Sequence, residues 1–294
     1  MSTPDLSRLL ALPRAVVADG AMGTALQELG LPPGCPPELW NLRRPAAVAA
    51  VHRGYVAAGA ELVLTNTFGA SRVKLARAGW GHAAPELCRR GAELAREAAG
   101  QNAAVLGSLG PTGQLLRPWG QLAREAARAA FAEQARALAE GGVTGLVLET
   151  FYALEELTAA LEAALDCTTL PLVCSMSFTE RGNTIMGTSV EEFVHAVEGL
   201  AGGRVVAVGA NCSVGPAAMA DLVSRLQAAT QVAVWAKPNA GQPQLAGERT
   251  LYPTGPAEFA AAAHTWLAAG AKVVGGCCGT TYEHIRCLAE VVLT

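Results

Sequence analysis

The sequence predicts a (β/α)8 barrel of the TIM type, one domain over residues 1–294. Three observations predict it. Short apolar runs rich in β-branched residues alternate with longer, alanine-rich amphipathic stretches, the order in which a parallel sheet and its covering helices are laid down. Each run is apolar almost throughout, as in a strand buried on both faces. The number of such units is eight, which suits closure into a barrel. An open doubly wound sheet is the weaker alternative, because no first turn carries Gly-x-Gly-x-x-Gly. Hydrophobic residues make up 51% of the chain and charged residues 16%, which provides for a large core and excludes wholesale disorder.

The predicted strands are 15–18, 61–64, 103–106, 145–148, 171–174, 205–208, 232–236 and 271–274. The predicted helices between them are 45–58, 85–99, 122–140, 153–165, 190–200, 216–229, 256–269 and 282–292. Several open with proline in the first turn (Pro45, Pro216, Pro256) or after a Ser cap (Ser189), as helix starts should. Gly59, Gly100, Gly141 and Gly270 stand where helices stop. Pro and Gly punctuate the whole chain, so no linker divides it. Two insertions, 31–44 after the first strand and 242–252 after the seventh, fall at the end of the barrel where active sites are built.

Charge narrows the partners. Lys plus Arg number 22 and Asp plus Glu 25, a formal net charge of −3, which argues against nucleic acid or an anionic membrane. No apolar run reaches the ~18 residues of a membrane span. The start, Met1-Ser2-Thr3-Pro4-Asp5, has no basic and apolar leader. A reducing, cytoplasmic compartment is therefore expected, and the eight cysteines are expected to pack, react or bind metal instead of forming a disulfide scaffold.

Chemistry in a barrel collects where strands end. The predicted strand ends carry Asp19-Gly20-Ala21-Met22-Gly23-Thr24, Thr65-Asn66-Thr67-Phe68, Gly107-Ser108-Leu109-Gly110-Pro111, Glu149-Thr150-Phe151, Cys174-Ser175-Met176-Ser177, Asn211-Cys212-Ser213, Lys237-Pro238-Asn239-Ala240-Gly241 and Gly275-Gly276-Cys277-Cys278-Gly279-Thr280. Closure brings Cys212 near the pair Cys277 and Cys278. Adjacent strand residues face opposite ways, so the pair shares one ion only if the backbone leaves strand geometry. Gly275, Gly276 and Gly279 are expected to give that freedom. Three thiolates with an open fourth position describe a catalytic zinc layout, and soft sulfur selects Zn over Mg or Ca. The ensemble has a formal charge of about −1. It suits holding a substrate thiol as thiolate for alkylation better than it suits hydrolysis. The bland alternative is a vicinal pair that fills volume or forms a strained disulfide.

Other residues leave choices open. The 19–24 turn offers a nest of N–H groups that could hold a carboxylate. Glu149 follows an apolar run and would be costly to bury alone. It could hold an ammonium group or pair with Lys237. Lys237 could instead be a Schiff-base lysine. Cys35, Cys88, Cys167, Cys174 and Cys287 read as packed or surface thiols. Trp40, Trp119 and Trp235 read as packing, and His195 and His264 as helix residues without a ligand role.

Taken in order, Asp-Gly-Ala-Met-Gly-Thr, Thr-Asn-Thr-Phe, Gly-Ser-Leu-Gly-Pro-Thr-Gly, Glu-Thr-Phe, Gly-Ala-Asn-Cys-Ser, Lys-Pro-Asn-Ala-Gly and Gly-Gly-Cys-Cys-Gly-Thr resemble the zinc-dependent homocysteine S-methyltransferases over about residues 13–292. The stretch Gly107–Gly113 with Leu115-Leu116-Arg117-Pro118-Trp119-Gly120 is most similar to the homocysteine-binding module of cobalamin-dependent methionine synthase. The resemblance implies Zn²⁺ on Cys212, Cys277 and Cys278, with Asn239 in the fourth position until substrate displaces it. It implies that Glu149 binds the homocysteine amino group and that N–H groups around Asp19, Gly20 and Ala21 take the carboxylate. Thr65, Asn66 and Thr67 would line the pocket. The zinc-bound sulfur would then attack a methyl group and give methionine. Thr150 stands where betaine-dependent members carry Tyr, which counts against betaine as donor. The donor implied is a methylsulfonium such as S-methylmethionine, or a corrinoid on a separate protein or domain docked at the barrel mouth. The chain ends after the eighth helix, so it is either a stand-alone enzyme or a piece of a larger one. The rival functions are a Lys237 aldolase and a non-catalytic zinc-binding barrel.

Overall fold

The computed structural model describes residues 4–246 and 249–293. Eight parallel strands form one sheet: β1 Val16–Val17, β2 Leu62–Leu64, β3 Ala104–Leu109, β4 Gly145–Phe151, β5 Leu172–Met176, β6 Val205–Asn211, β7 Ala233–Lys237 and β8 Ala271–Val274. Their order is β1-β8-β7-β6-β5-β4-β3-β2. A parallel bridge between Ala18 and Leu62 joins β1 to β2 and closes the sheet. The closed barrel replaces the doubly wound alternative.

The eight covering helices are α1 Pro45–Ala57, α2 Ala84–Ala99, α3 Arg124–Glu140, α4 Leu154–Cys167, α5 Val190–Ala201, α6 Pro216–Ala229, α7 Pro256–Ala268 and α8 Tyr282–Leu293. The start of α5 shows how the sequence sets a boundary. Ser189 Oγ accepts the Glu192 N–H while Glu192 reaches back to the Ser189 N–H, a reciprocal cap that satisfies two otherwise orphaned donors.

Strand alternation divides the apolar residues into two cores. Val16, Leu62, Leu106, Val147, Val173, Trp235 and Val273 fill the barrel interior. Their neighbours Val17, Val63, Val105, Leu146, Leu148, Cys174, Val208 and Val274 point outward against the helices. Period-two geometry turns one apolar run into both faces.

Five expected strand ends were too early. β3, β4 and β6 continue for three residues past 106, 148 and 208, β5 for two past 174 and β7 for one past 236. Polar residues there still belong to the ladder, because this end of a barrel opens on a cavity and tolerates them. A further element was not expected. A short helix, Leu6–Leu10, is capped by Asp5, and Leu6 and Leu9 join the interior core. It closes the end where the strands begin.

Among the described residues, no helix is long and apolar enough to cross a membrane. All eight cysteines are free.

Candidate metal centre and substrate cavity

The ends of β6, β7 and β8 bring the three predicted sulfurs together. Cys212, Cys277 and Cys278 offer Sγ atoms that all lie within 4.8 Å of one another, the one such group of potential metal ligands among the described residues. Cys212 and Cys278 sulfurs are 4.0 Å apart. A tetrahedral ion with bonds of about 2.3 Å would hold its sulfurs about 3.8 Å apart, close to the Cys212–Cys278 spacing.

The backbone achieves this by two devices. Cys212 and Ser213 adopt left-handed backbone with φ of 60° and 55°, which costs on the order of 1–3 kcal/mol per non-glycine residue and persists only where the surroundings enforce it. The Cys212 N–H donates to the Lys237 carbonyl at 3.1 Å, and the Cys277 N–H to the Pro238 carbonyl at 2.8 Å. The second device is the glycines, but not as expected. Only Gly279 has positive φ, 80°. Gly276 is needed because a Cβ there would sit 2.4 Å from Thr280 Oγ1, and Gly275 because one would sit 2.9 Å from Ala18 and Asp19. Gly275 permits close approach of the β1 and β8 ends and Gly276 the fold-back of the loop onto Thr280, instead of supplying left-handed geometry.

Around the sulfurs, the donor set is that of a soft cation. Asn239 lies against Cys212. It is buried, and its Oδ1 has no hydrogen-bond partner. Such an orphaned oxygen is costly and supplies a ready fourth donor. Hydrogen bonds from the Cys277 and Cys278 thiols hold Cys212 down to about 3. The same bonds push Cys278 up to about 12 and Cys277 well above its usual value. Three thiols at this spacing titrate as one unit, and a bound metal would favour the loss of all three protons. Sequence reasoning missed Tyr252. It sits in the second insertion, where Gln244–Ala246 pairs antiparallel with Arg249–Leu251; residues 247–248 lie outside the described residues. Burial first, and then Cys278, push its phenol up.

A cavity of about 700 Å³ opens beside the sulfurs. Glu149, at the end of β4, is buried on its wall, and Ser108 Oγ donates to its Oε1. Burial pushes this carboxyl up; Lys237 and Ser108 pull it back. The suspected Glu149–Lys237 salt bridge does not form. Lys237 Nζ instead lies 2.6 Å from Asp19 Oδ1, with both side chains about 3% exposed. Asp19 Oδ2 accepts the Leu64 N–H at 2.8 Å. This pairing also counts against a Schiff-base lysine, which must be neutral to attack. The cavity wall thus carries the Asp19–Lys237 pair and a Glu149 that has no cationic partner among the described ion pairs; Glu38, Lys74 and Arg77 line it as well.

Other predicted residues divide by place. Thr65 and Asn66 line the cavity; Thr67 does not. Thr67 Oγ1 is buried between Thr65 Oγ1 at 2.6 Å and the Ser108 carbonyl at 2.8 Å. Asn66 Nδ2 donates to the Pro37 carbonyl and to Asn41 Oδ1, both at 2.9 Å, and so fastens the first insertion over the cavity. Glu38 in that insertion, another missed residue, accepts the Gly69 N–H at 2.6 Å. Asn239 stands by the sulfurs but not on the cavity wall.

Of the expected carboxylate nest, the Asp19 N–H is taken by the Leu62 carbonyl and the Ala21 N–H by Thr280 Oγ1. Gly20, Met22, Gly23 and Thr24 line the cavity where the helix Met22–Glu28 begins without a side-chain cap. Trp40 and Trp235 are packed as expected, but Trp119 is 75% exposed. His195 and His264 are on the surface.

A second cavity, of about 1020 Å³, adjoins the first and shares Phe68, Lys74 and Thr150 with it. Lys74 Nζ stands 4.4 Å over the Phe68 ring. Burial pushes its ammonium down, and Glu38 and Glu156 oppose that.

The family model described as homocysteine S-methyltransferase matches residues 16–292. Methionine synthase of Mycobacterium leprae is 35% identical over 98% of this chain, and that of Mycobacterium tuberculosis 34% over 95%. The chain spans about a quarter of the length of each of these relatives. The metallated form of the homocysteine methyltransferase MmuM from Escherichia coli superimposes with a TM-score of 0.80 at 26% identity, covering 97% of this chain and 99% of that one. With eight strands closed, three sulfurs converged and the family match nearly end to end, the chain belongs to the homocysteine S-methyltransferase family.

Proposed function

We propose that the chain, over residues 1–294, binds one Zn²⁺ and transfers a methyl group to the sulfur of homocysteine, forming methionine. The observation that carries the reading is the convergence of Cys212, Cys277 and Cys278 on the wall of a cavity that also buries Glu149. The three sulfurs would hold the ion, with Asn239 Oδ1 as fourth donor in the absence of substrate. Bound zinc keeps a thiol ionised well below its ordinary value of ~8.5 while the electron-rich ligands preserve its nucleophilicity.

The protein's own side chains do the rest. With Lys237 paired to Asp19, Glu149 has no cation of its own among the described ion pairs, and the substrate ammonium supplies one. Ser108 fixes the orientation of that carboxylate. The substrate carboxylate faces the 19–24 turn, and Thr65 closes the side of the cavity. The thiolate attacks the methyl carbon in line. The S–C bond forms as the donor's bond breaks, and the leaving group takes its electron pair. Fixing both ends of the substrate converts this bimolecular step into a positioned one.

The adjoining cavity gives the donor its approach. The donor is a methyl-corrinoid protein or a methylsulfonium such as S-methylmethionine, each carrying a methyl group activated toward soft nucleophiles. A reducing, cytoplasmic setting keeps the three thiols available. A metallated relative of the same fold and methionine synthases as relatives support the reading.

X-ray absorption at the zinc edge tests it. Homocysteine should add one sulfur neighbour to the metal; unchanged coordination would leave only a non-catalytic zinc-binding barrel. Cys278→Ser should lose zinc and homocysteine binding while circular dichroism still reports the folded barrel. A panel of S-methylmethionine, S-adenosylmethionine, betaine and methylcobalamin with homocysteine then identifies the donor.

A further inference from the structure

The left-handed non-glycine residues among those described are Thr150, Cys212 and Ser213; the side chain of Asn211 bonds the first, and its backbone leads directly into the other two. Asn211 is fully buried. Its Oδ1 accepts the Thr150 N–H at 2.9 Å and the Ser175 hydroxyl at 2.6 Å. Its Nδ2 donates to Thr150 Oγ1 at 2.6 Å, and its carbonyl accepts from Ser177 Oγ at 2.9 Å.

Strand pairing shows why this amide is there. The β4–β5 ladder shifts register between Leu148 and Phe151. With Val147 inside the barrel and Leu148 outside, strict alternation would turn Glu149 in, Thr150 out and Phe151 in. Phe151 instead packs outward, its ring 5.9 Å from that of Phe131. Thr150 is therefore the extra residue of a bulge, and Asn211 supplies the hydrogen bonds that the ladder drops. Asn211 is also the last residue of β6, opposite Lys237, immediately before Cys212.

We propose that Asn211 is a positioning residue that couples the two anchors of the site. Through one amide it fixes the bulge presenting Glu149 and the strand end presenting the Cys212 sulfur. It thereby sets the span between the carboxylate that takes the substrate ammonium and the metal that takes its sulfur. The span decides chain length: homocysteine bridges it, and cysteine, one methylene shorter, does not. Only an amide meets the local demand, since Thr150 needs an acceptor for its N–H and a donor for its hydroxyl at once. A carboxylate would add a third buried anion beside Asp19 and Glu149. This inference rests on the zinc and homocysteine reading above.

The test measures zinc affinity by chelator competition, and L-homocysteine and L-cysteine affinities by calorimetry on the zinc-loaded protein. Asn211→Ala should weaken zinc by about 10–100-fold, as loss of a ligand-orienting partner does. It should also weaken homocysteine more than cysteine, so that the preference between them narrows, an outcome that general destabilisation of a still-folded protein does not produce. Adding Thr150→Gly, which accepts φ of 64° without strain, should recover part of the homocysteine affinity and none of the zinc affinity. A folded Asn211→Ala protein with wild-type affinities overturns the proposal. Should that variant not fold, Ser175→Ala carries the test, because it removes one hydrogen bond to Oδ1: weaker zinc with homocysteine weakened more than cysteine supports the proposal, and wild-type values or equal weakening of the two amino acids overturn it. A wild-type protein that takes up no zinc removes the reading beneath, a result distinct from an Asn211→Ala protein that behaves as wild type.

Discussion

The two ends of the barrel solve opposite problems. Where the strands begin, Leu6 and Leu9 plug the interior, Arg14 grips Glu61 with two bonds of 2.8 and 2.6 Å, and Lys272 donates to the Leu12 and Arg14 carbonyls. These groups find ordinary partners in ordinary backbone. Where the strands end, the same chain buries Asp19, Glu149 and Lys237, strains Thr150, Cys212 and Ser213, and leaves Asn239 Oδ1 without a partner. The difference teaches where stability is made and where it is spent. One end can be judged by packing alone, whereas the other is intelligible only if ligands complete it.

Breaking each end separately exposes the contrast. The largest effect is expected from Lys237→Met. Removing its cation leaves the buried Asp19 carboxylate unpaired, at a cost of about 3–5 kcal/mol. Urea unfolding reads this, and a loss under about 1 kcal/mol would contradict the Asp19 pairing. Adding Asp19→Asn should restore much of the stability, since partners in one pair do not add.

Leu6→Ala acts on the other end. A fully buried leucine in a short terminal helix should cost about 2–3 kcal/mol, low in the range for such truncations because the helix can settle into the gap. Zinc and homocysteine affinities should be unchanged, since nothing in the cavity touches it. Weakened zinc binding at equal folded fraction would show that the two ends are not independent.

The smallest effect is on pH dependence. Burial raises the Glu149 carboxyl above its ordinary 4.5. Its contribution to folding is therefore fully present below 4.5 and is lost as pH rises through the raised value. Homocysteine binding runs the other way, weakening as pH falls through that same value, because the ammonium loses its anion. Calorimetric titrations across this window should show a flatter profile in Glu149→Gln than in the wild type. Identical slopes would place the ammonium elsewhere.

Much of the site was legible because sulfur chemistry is specific. Cys212 lies sixty-odd residues from Cys277 and Cys278, yet strand counting alone put all three at one end. The rest was less visible because hydrogen bonding is not written in residue type. Thr67 and Asn66 sit in the same motif as Thr65, but one supports the wall and the other ties down an insertion. Tyr252 reaches Cys278 from an insertion whose return path no local pattern reveals. The helix Leu6–Leu10 was readable in principle, since Asp5 precedes Leu6, Leu9 and Leu10, but five residues give too little periodicity to stand out.

By itself, the sequence determined the alternation of strand and helix, the closure at eight and the identity of the three sulfurs that converge, because periodicity and ligand chemistry are properties of the residues. Tertiary structure alone decided that Lys237 meets Asp19 and not Glu149, that Gly275 and Gly276 serve close approach, and that Thr150 is an extra residue held by Asn211. Those outcomes depend on register and on which strand ends face one another. A one-residue shift redirects every side chain beyond it.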